Sequence, residues 1–172
     1  MKDAPQLGDF CRATWPRLVG ALGLYVGDRD VAEELAQETL VRVCERWKEV
    51  RVMTSAEGWT FRVGFNLANS HFRRRAAERR ARTRLEARAD LIVVEPDSAD
   101  AVALRKAVAT LPDPQRRALV LRYFADLSVD EVADAMACPP NTVKTHTRRA
   151  ILTLRDAGLF DDDVLPEVRD AR

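Results

Sequence analysis

The sequence contains no run of about eighteen apolar residues, the minimum for a membrane-spanning helix. Its opening, MKDAPQLGDF, lacks the apolar stretch of a signal peptide. Membrane insertion is therefore not expected, and a cytoplasmic location is. Glycine is scarce, at seven of 172 residues, and no glycine loop suited to cradling phosphate is present. The only histidines, His71 and His146, lie far apart, each within a basic stretch. Without a nucleophile–base arrangement or metal-ligand spacing, no catalytic residue, metal site or cofactor is expected, and the chain does not read as an enzyme. Cys11, Cys44 and Cys138 are odd in number, distant along the chain and outside any CxxC. They read as free buried thiols of a reducing compartment.

Neither sign of charge is in excess, since 28 basic residues meet 27 acidic ones. Their distribution is uneven. Eight arginines fall between Arg73 and Arg88 against two acids, Glu78 and Glu86. Asp28, Asp30, Glu33, Glu34 and Glu38 form one acidic stretch, and Asp161 to Asp163 another. Such segregation points to separate surfaces for an anionic and a basic partner.

What is abundant is alanine, leucine, arginine and glutamate, a helix-forming composition. The sequence predicts an all-α chain of two small helical domains, over 1–90 and 101–158. A linker over 91–100, LIVVEPDSAD, joins them, and an acidic tail covers 159–172. Helical spacing of Phe10, Trp15, Leu18, Leu22 and Tyr25 predicts a first helix ending near Gly27. Asp30 with Glu33 has capping-box character and opens a second helix, about 30 to 50, with Leu35, Val43 and Trp47 inward. Ser55 is a plausible cap for a third, which places Trp59, Val63, Leu67 and Phe72 in the core.

In the second domain, Asp113 is expected to cap a helix with Pro114 at its first position. Ser128 and Glu131 form a full capping box for the next helix, and a turn at Ala137–Pro139 leads into the last, which Gly158 stops. Two short helices joined by a tight turn, the second opening with Thr, Lys, His and Arg, make a helix-turn-helix. In that motif the N-terminal end of the second helix enters the major groove. Lys144, Thr145, Arg148 and Arg149 fall on its exposed face, with Val143, Ala150, Ile151 and Leu154 opposite. The arginine run suits phosphate binding. Aromatics just upstream of it, Trp59 among them, are of the kind that stack on unpaired bases.

Three blocks resemble the extracytoplasmic-function sigma factors of bacterial RNA polymerase. DVAEELAQETLVRVCERW (30–47) is similar to their polymerase-binding helix. AEGWTFRVGFNLANSHFRRR (56–75) resembles their −10-reading and melting helix, and residues 111–155 their −35-reading domain. The resemblance implies an alternative sigma factor whose partners are core RNA polymerase, promoter DNA and an anti-sigma factor. It implies that Glu34, Gln37 and Glu38 dock on the polymerase. Asn66 matches the residue near the pocket of a flipped −10 base, and the loop 51–55 matches the one closing over it. Trp59, Arg62, Ser70 and Arg73, Arg74 and Arg75 complete the −10 set, with Ser70 standing where family members often carry Asp or Asn. Thr142, Lys144, Thr145, His146, Arg148 and Arg149 match the −35 contacts. Ala137 stands where the turn usually has Gly. The linker implies that the two reading surfaces take fixed geometry only on polymerase. TVKTH also occurs in response-regulator output domains, but residues 1–90 lack the alternating strands and helices of a phosphoacceptor domain. A protein-binding helical adaptor would keep the acidic surface yet tolerate loss of Asn66, Arg148 and Arg149.

Overall fold

A computed structural model describes residues 4–82 and 99–158. The expected tail, and all of the expected linker but its last two residues, lie outside the described residues. Among the described residues there are eight helices and no strand, as an all-α chain requires. The N-terminal half comprises α1 (Ala4–Val26), α2 (Arg29–Glu45), α3 (Trp47–Val50) and α4 (Ala56–Arg82). The C-terminal half comprises α5 (Ala99–Thr110), α6 (Asp113–Tyr123), α7 (Val129–Met136) and α8 (Pro140–Asp156).

Gly27, at φ 79°, ends α1 in a conformation that costs glycine little. The cap of α2 is Asp28, whose carboxylate accepts the Val31 N–H at 3.1 Å. This corrects the assignment to Asp30: Asp28 has the extended backbone a cap needs, whereas Asp30 is already helical. The predicted single helix over 30–50 is also interrupted, because Arg46 leaves helical geometry at φ −112°, ψ 18°. The break lets Trp47 and Val50 gather with Val43, Leu7 and Phe10 in a small cluster, the Phe10 and Trp47 rings 5.2 Å apart.

Ser55 does cap α4, accepting the Gly58 N–H at 2.9 Å. The buried face of α4 differs from the predicted one. Phe61, Phe65 and Ala68 are fully buried, while Trp59, Val63, Leu67 and Phe72 are only partly so. Two full phenylalanine burials contribute about 2–3 kcal/mol each, which decides between the faces. Gly64 sits on the chosen face, where a Cβ would lie 3.2 Å from both Leu18 Cδ1 and Thr39 Oγ1. Its missing side chain sets how closely α4 approaches α1 and α2.

In the C-terminal half, Pro112 rather than Asp113 is the cap of α6, and Asp113 is its first residue. The capping box of α7 is complete: Ser128 Oγ accepts the Glu131 N–H at 3.2 Å and Glu131 accepts the Ser128 N–H at 2.8 Å. Burial works to raise the Glu131 carboxyl, but hydrogen bonds from Ser55 and Ser128 outweigh it and hold the group below its ordinary range. The turn into α8 places Ala137 at φ 53°, ψ 48°, the left-handed conformation that disfavours a Cβ. Ala137→Gly is accordingly expected to stabilise the chain by about 1 kcal/mol, less what glycine adds to unfolded-state entropy. A rise in thermal midpoint of a few degrees measures it, and an unchanged or lower midpoint would show that the turn carries no strain.

The two halves are not held apart. One hydrophobic cluster runs from Leu18, Tyr25 and Phe65 through Val108, Val120 and Leu127 to Leu154. Within it α1 packs on α5 and α6, and α4 packs on α7. The expectation that their relative geometry is set only on polymerase is therefore incomplete, because the free chain already has a closed arrangement.

Candidate nucleic-acid interface

The helix-turn-helix is built as its sequence implies. Val143, Thr147, Ala150, Ile151 and Leu154 are buried against α6 and α7, which turns Lys144, Thr145, Arg148 and Arg149 to solvent. Thr142 and His146 are half-buried at the margins of that face. The Thr145 hydroxyl donates back to the Asn141 carbonyl at 2.9 Å, so it presents its methyl and lone pairs rather than a free proton. Two adjacent exposed guanidiniums with fork geometry suit guanine edges or paired phosphates.

On α4 the predicted residues divide. Arg62, Asn66, Arg73 and Arg74 are exposed, and Trp59, Ser70 and Arg75 are half-buried. Arg73 donates to Ser70 Oγ at 3.1 Å, and Ser70 donates to the Asn66 main-chain carbonyl at 3.0 Å, so the Ser70 hydroxyl ties Arg73 to the helix backbone. The Arg46 guanidinium lies 5.6 Å from the Trp59 ring centre, occupying one face of the indole. In the preceding loop Val52 is 74% exposed, the largest exposure among the large hydrophobic side chains described.

Glu34, Gln37 and Glu38 all lie exposed on α2, while Leu35, Val43 and Trp47 are buried. The structure adds a juxtaposition that spacing did not reveal. Glu34 and Glu38 share a groove of about 380 Å³ with His71, Arg74, Arg75 and Glu78 of α4. Acids and arginines assigned to different partners thus line opposite walls of one cleft. Burial, then Arg75 and Arg74, push the His71 pKa down, so at neutral pH its ring adds no charge there.

A second unforeseen set of residues joins the halves. Arg17 holds Glu57 with both carboxylate oxygens, at 2.9 and 3.0 Å, and also donates to the Ala125 carbonyl. Ser55 donates to Glu131. The Tyr25 hydroxyl lies 2.5 Å from Asp113 Oδ1 and 2.7 Å from the Asn69 side-chain oxygen. Burial and then Asp113 push that phenol up, so it stays protonated and donates. Arg117 is only 9% exposed, and its Nη2 donates to Ala135 O at 2.7 Å and to Asn66 Oδ1 at 3.2 Å. The side-chain oxygen of Asn66 is therefore committed to the opposite half. No carboxylate hydrogen-bonds this guanidinium among the described contacts, and its Nε has no partner. A buried cation so placed favours rehydration, which offsets part of what the apolar junction contributes.

Comparison with known proteins agrees with both halves. Residues 11–78 match the family model described as Sigma-70 region 2, and residues 101–154 match Sigma-70, region 4. The chain is 30% identical over 126 residues to the RNA polymerase sigma-E factor of Streptomyces antibioticus, covering 73% of this chain and 69% of that one. It is 26% identical over 168 residues to the RNA polymerase sigma-H factor of Pseudomonas aeruginosa, covering 90% and 84%. With the ECF RNA polymerase sigma factor SigW of Bacillus subtilis it shares 25% over 143 residues, 76% of each chain. Among solved structures, the fold is similar to the sigma factor RpoE of Bartonella quintana, crystallised with the anti-sigma factor NepR. The TM-score is 0.78 at 23% identity, over 94% of this chain and 99% of that one.

Proposed function

This chain belongs to the sigma-70 family of RNA polymerase sigma factors, in its extracytoplasmic-function class, and from that premise we propose how its two halves divide the work of initiation. It binds core polymerase and directs promoter-specific initiation, as a cytoplasmic initiation factor with no reaction of its own. Glu34, Gln37 and Glu38 dock on a basic surface of the polymerase. Lys144, Thr145, Arg148 and Arg149, flanked by Thr142 and His146, read the −35 element in the major groove. Asn66, with Ser70 and the loop 51–55, receives a flipped −10 base, and Trp59 supports the loop. Arg62, Arg73, Arg74 and Arg75 hold the adjacent phosphates. Extruding a base costs a few kcal/mol of stacking, which the pocket and phosphate clamp together offset. An anti-sigma factor is the regulatory partner. The division into an N-terminal −10 domain, linker and C-terminal −35 domain follows the same premise.

The observation that carries this reading is the presence, on one chain, of an exposed acidic face on α2 and an exposed basic face on the recognition helix α8. The closed arrangement adds an order of events. The acidic face stays open to polymerase while Asn66 is held by Arg117, so docking precedes −10 reading. Footprinting and run-off transcription, each with and without core polymerase, test both points. The free chain is expected to leave the −10 element unprotected at physiological salt, and the holoenzyme to initiate from a selected promoter. Absence of specific initiation would remove the function. Tight −10 protection by the free chain would remove the order of events.

A further inference from the structure

Cys11 and Cys44 lie 33 residues apart in sequence yet belong to facing helices of one antiparallel hairpin, α1 and α2. The turn at Gly27–Asp28 is equidistant from both, 16 residues after Cys11 and 16 before Cys44. With the same rise per residue in each helix, they fall at the same level. Two contacts support that placement. An ideal Cβ at Gly23 would lie 3.8 Å from Ala32 Cβ, a pair likewise equidistant from the turn. Toward the far end the Phe10 ring, one residue from Cys11, lies 5.2 Å from that of Trp47, just past the end of α2, so the chain segments that hold the two cysteines still lie together there. Cys44 is exposed and Cys11 half-buried, which corrects the expectation of buried, separate thiols.

We propose that Cys11 and Cys44 are a thiol pair that closes to a disulfide under a small-molecule disulfide oxidant, stapling the hairpin that carries the acidic face. The exposed Cys44, as thiolate, attacks one sulfur of the oxidant RSSR, and RS⁻ leaves, forming a mixed disulfide. Cys11, once deprotonated, attacks the Cys44 sulfur and releases the second RS⁻. The protein loses two protons and two electrons, and RSSR becomes two RSH. The order follows from surroundings. Burial first, then the neighbouring Cys44 sulfur, push the Cys11 thiol up, so it resolves rather than initiates. Cys138 sits in the turn before α8, in the other half, and takes no part.

The test uses the full chain, treated with oxidised glutathione or with a reductant, and read by intact mass, peptide mapping and thermal midpoint. The wild type is expected to lose two hydrogens, to yield a peptide linking Cys11 to Cys44, and to melt roughly 5–10 °C higher when oxidised. Cys138→Ser should behave identically. Cys11→Ser should instead retain a glutathione adduct on Cys44, and Cys44→Ser should acquire neither bridge nor stable adduct at Cys11. A stable glutathione adduct on oxidised wild type, a bridge to Cys138, or no change in mass would each overturn the pairing. None of these readouts involves polymerase, so they stand apart from the test of function above.

Discussion

Replacing both Glu34 and Glu38 with lysine is expected to lower affinity for core polymerase by more than about 100-fold while leaving the helical fold intact. Removing one partner of a docked charge pair costs about 2–5 kcal/mol, and reversal adds like-charge repulsion. Since about 1.4 kcal/mol is tenfold in affinity, two reversals exceed two orders of magnitude. The fold has little stake in these carboxylates. Glu38 bonds Arg42 at 2.8 Å one turn away on an exposed helix surface, a pairing worth a few tenths of a kcal/mol. The shared groove supplies a control, because lysines there would also face Arg74 and Arg75. Glu34→Gln with Glu38→Gln removes the attraction without that local repulsion, and should fall between wild type and the double reversal. Core binding by gel filtration or fluorescence anisotropy, with circular dichroism of the free chain, measures both effects. Near wild-type binding of the double reversal would take polymerase docking away from this face.

Reading and melting should separate on a template with an artificially opened −10 bubble. Base-edge contacts are worth about 1–3 kcal/mol each, so Arg148→Ala with Arg149→Ala should depress initiation from duplex promoters by roughly 30-fold or more. Opening the −10 segment in advance lowers the dependence on −35 recruitment, and this variant should recover most of its activity. Asn66→Ala should recover less, since the pocket for the extruded base is damaged whether or not the duplex is already open. This variant has a second, opposing effect, because Asn66 also accepts from Arg117 in the closed chain. Its loss loosens the closure and frees the −10 surface, so a defect that persists on the bubble belongs to base reading. Equal recovery of the two variants, or the reverse order, would exchange the roles assigned to α4 and α8.

The helix-turn-helix was almost wholly legible in sequence because its signals are local. Ser128 and Glu131 sit three residues apart, and Gly158 follows the last periodic residue; the left-handed alanine at Ala137 was one of two geometries that the resemblance left open. Misreadings arose where distant residues decide. The α4 sequence offers two apolar stripes, and only packing on Leu18 and Thr39 around Gly64 selects Phe61 and Phe65. Asp113 looks like a cap on its own but lies against a tyrosine 88 residues away. Arg117 reads as one more charged residue of an amphipathic helix, and nothing within α6 announces that it crosses to Asn66. Cys11 and Cys44 were invisible as a pair for a related reason: their proximity follows from the length of two helices and the position of one turn.

The continuous cluster linking Tyr25 and Phe65 to Val120 and Leu127 has a consequence for biosynthesis. As the chain leaves the ribosome, the first four helices emerge before the surface that covers them exists. Translation at about 5–20 residues per second leaves that apolar seam uncovered for several seconds, until α6 and α7 follow. During that interval the nascent chain offers a binding surface for chaperones, and a premature stop within the C-terminal half would make the exposure permanent. The same junction that joins the two halves of the finished protein thus leaves its newly synthesised first half uncovered until the second follows.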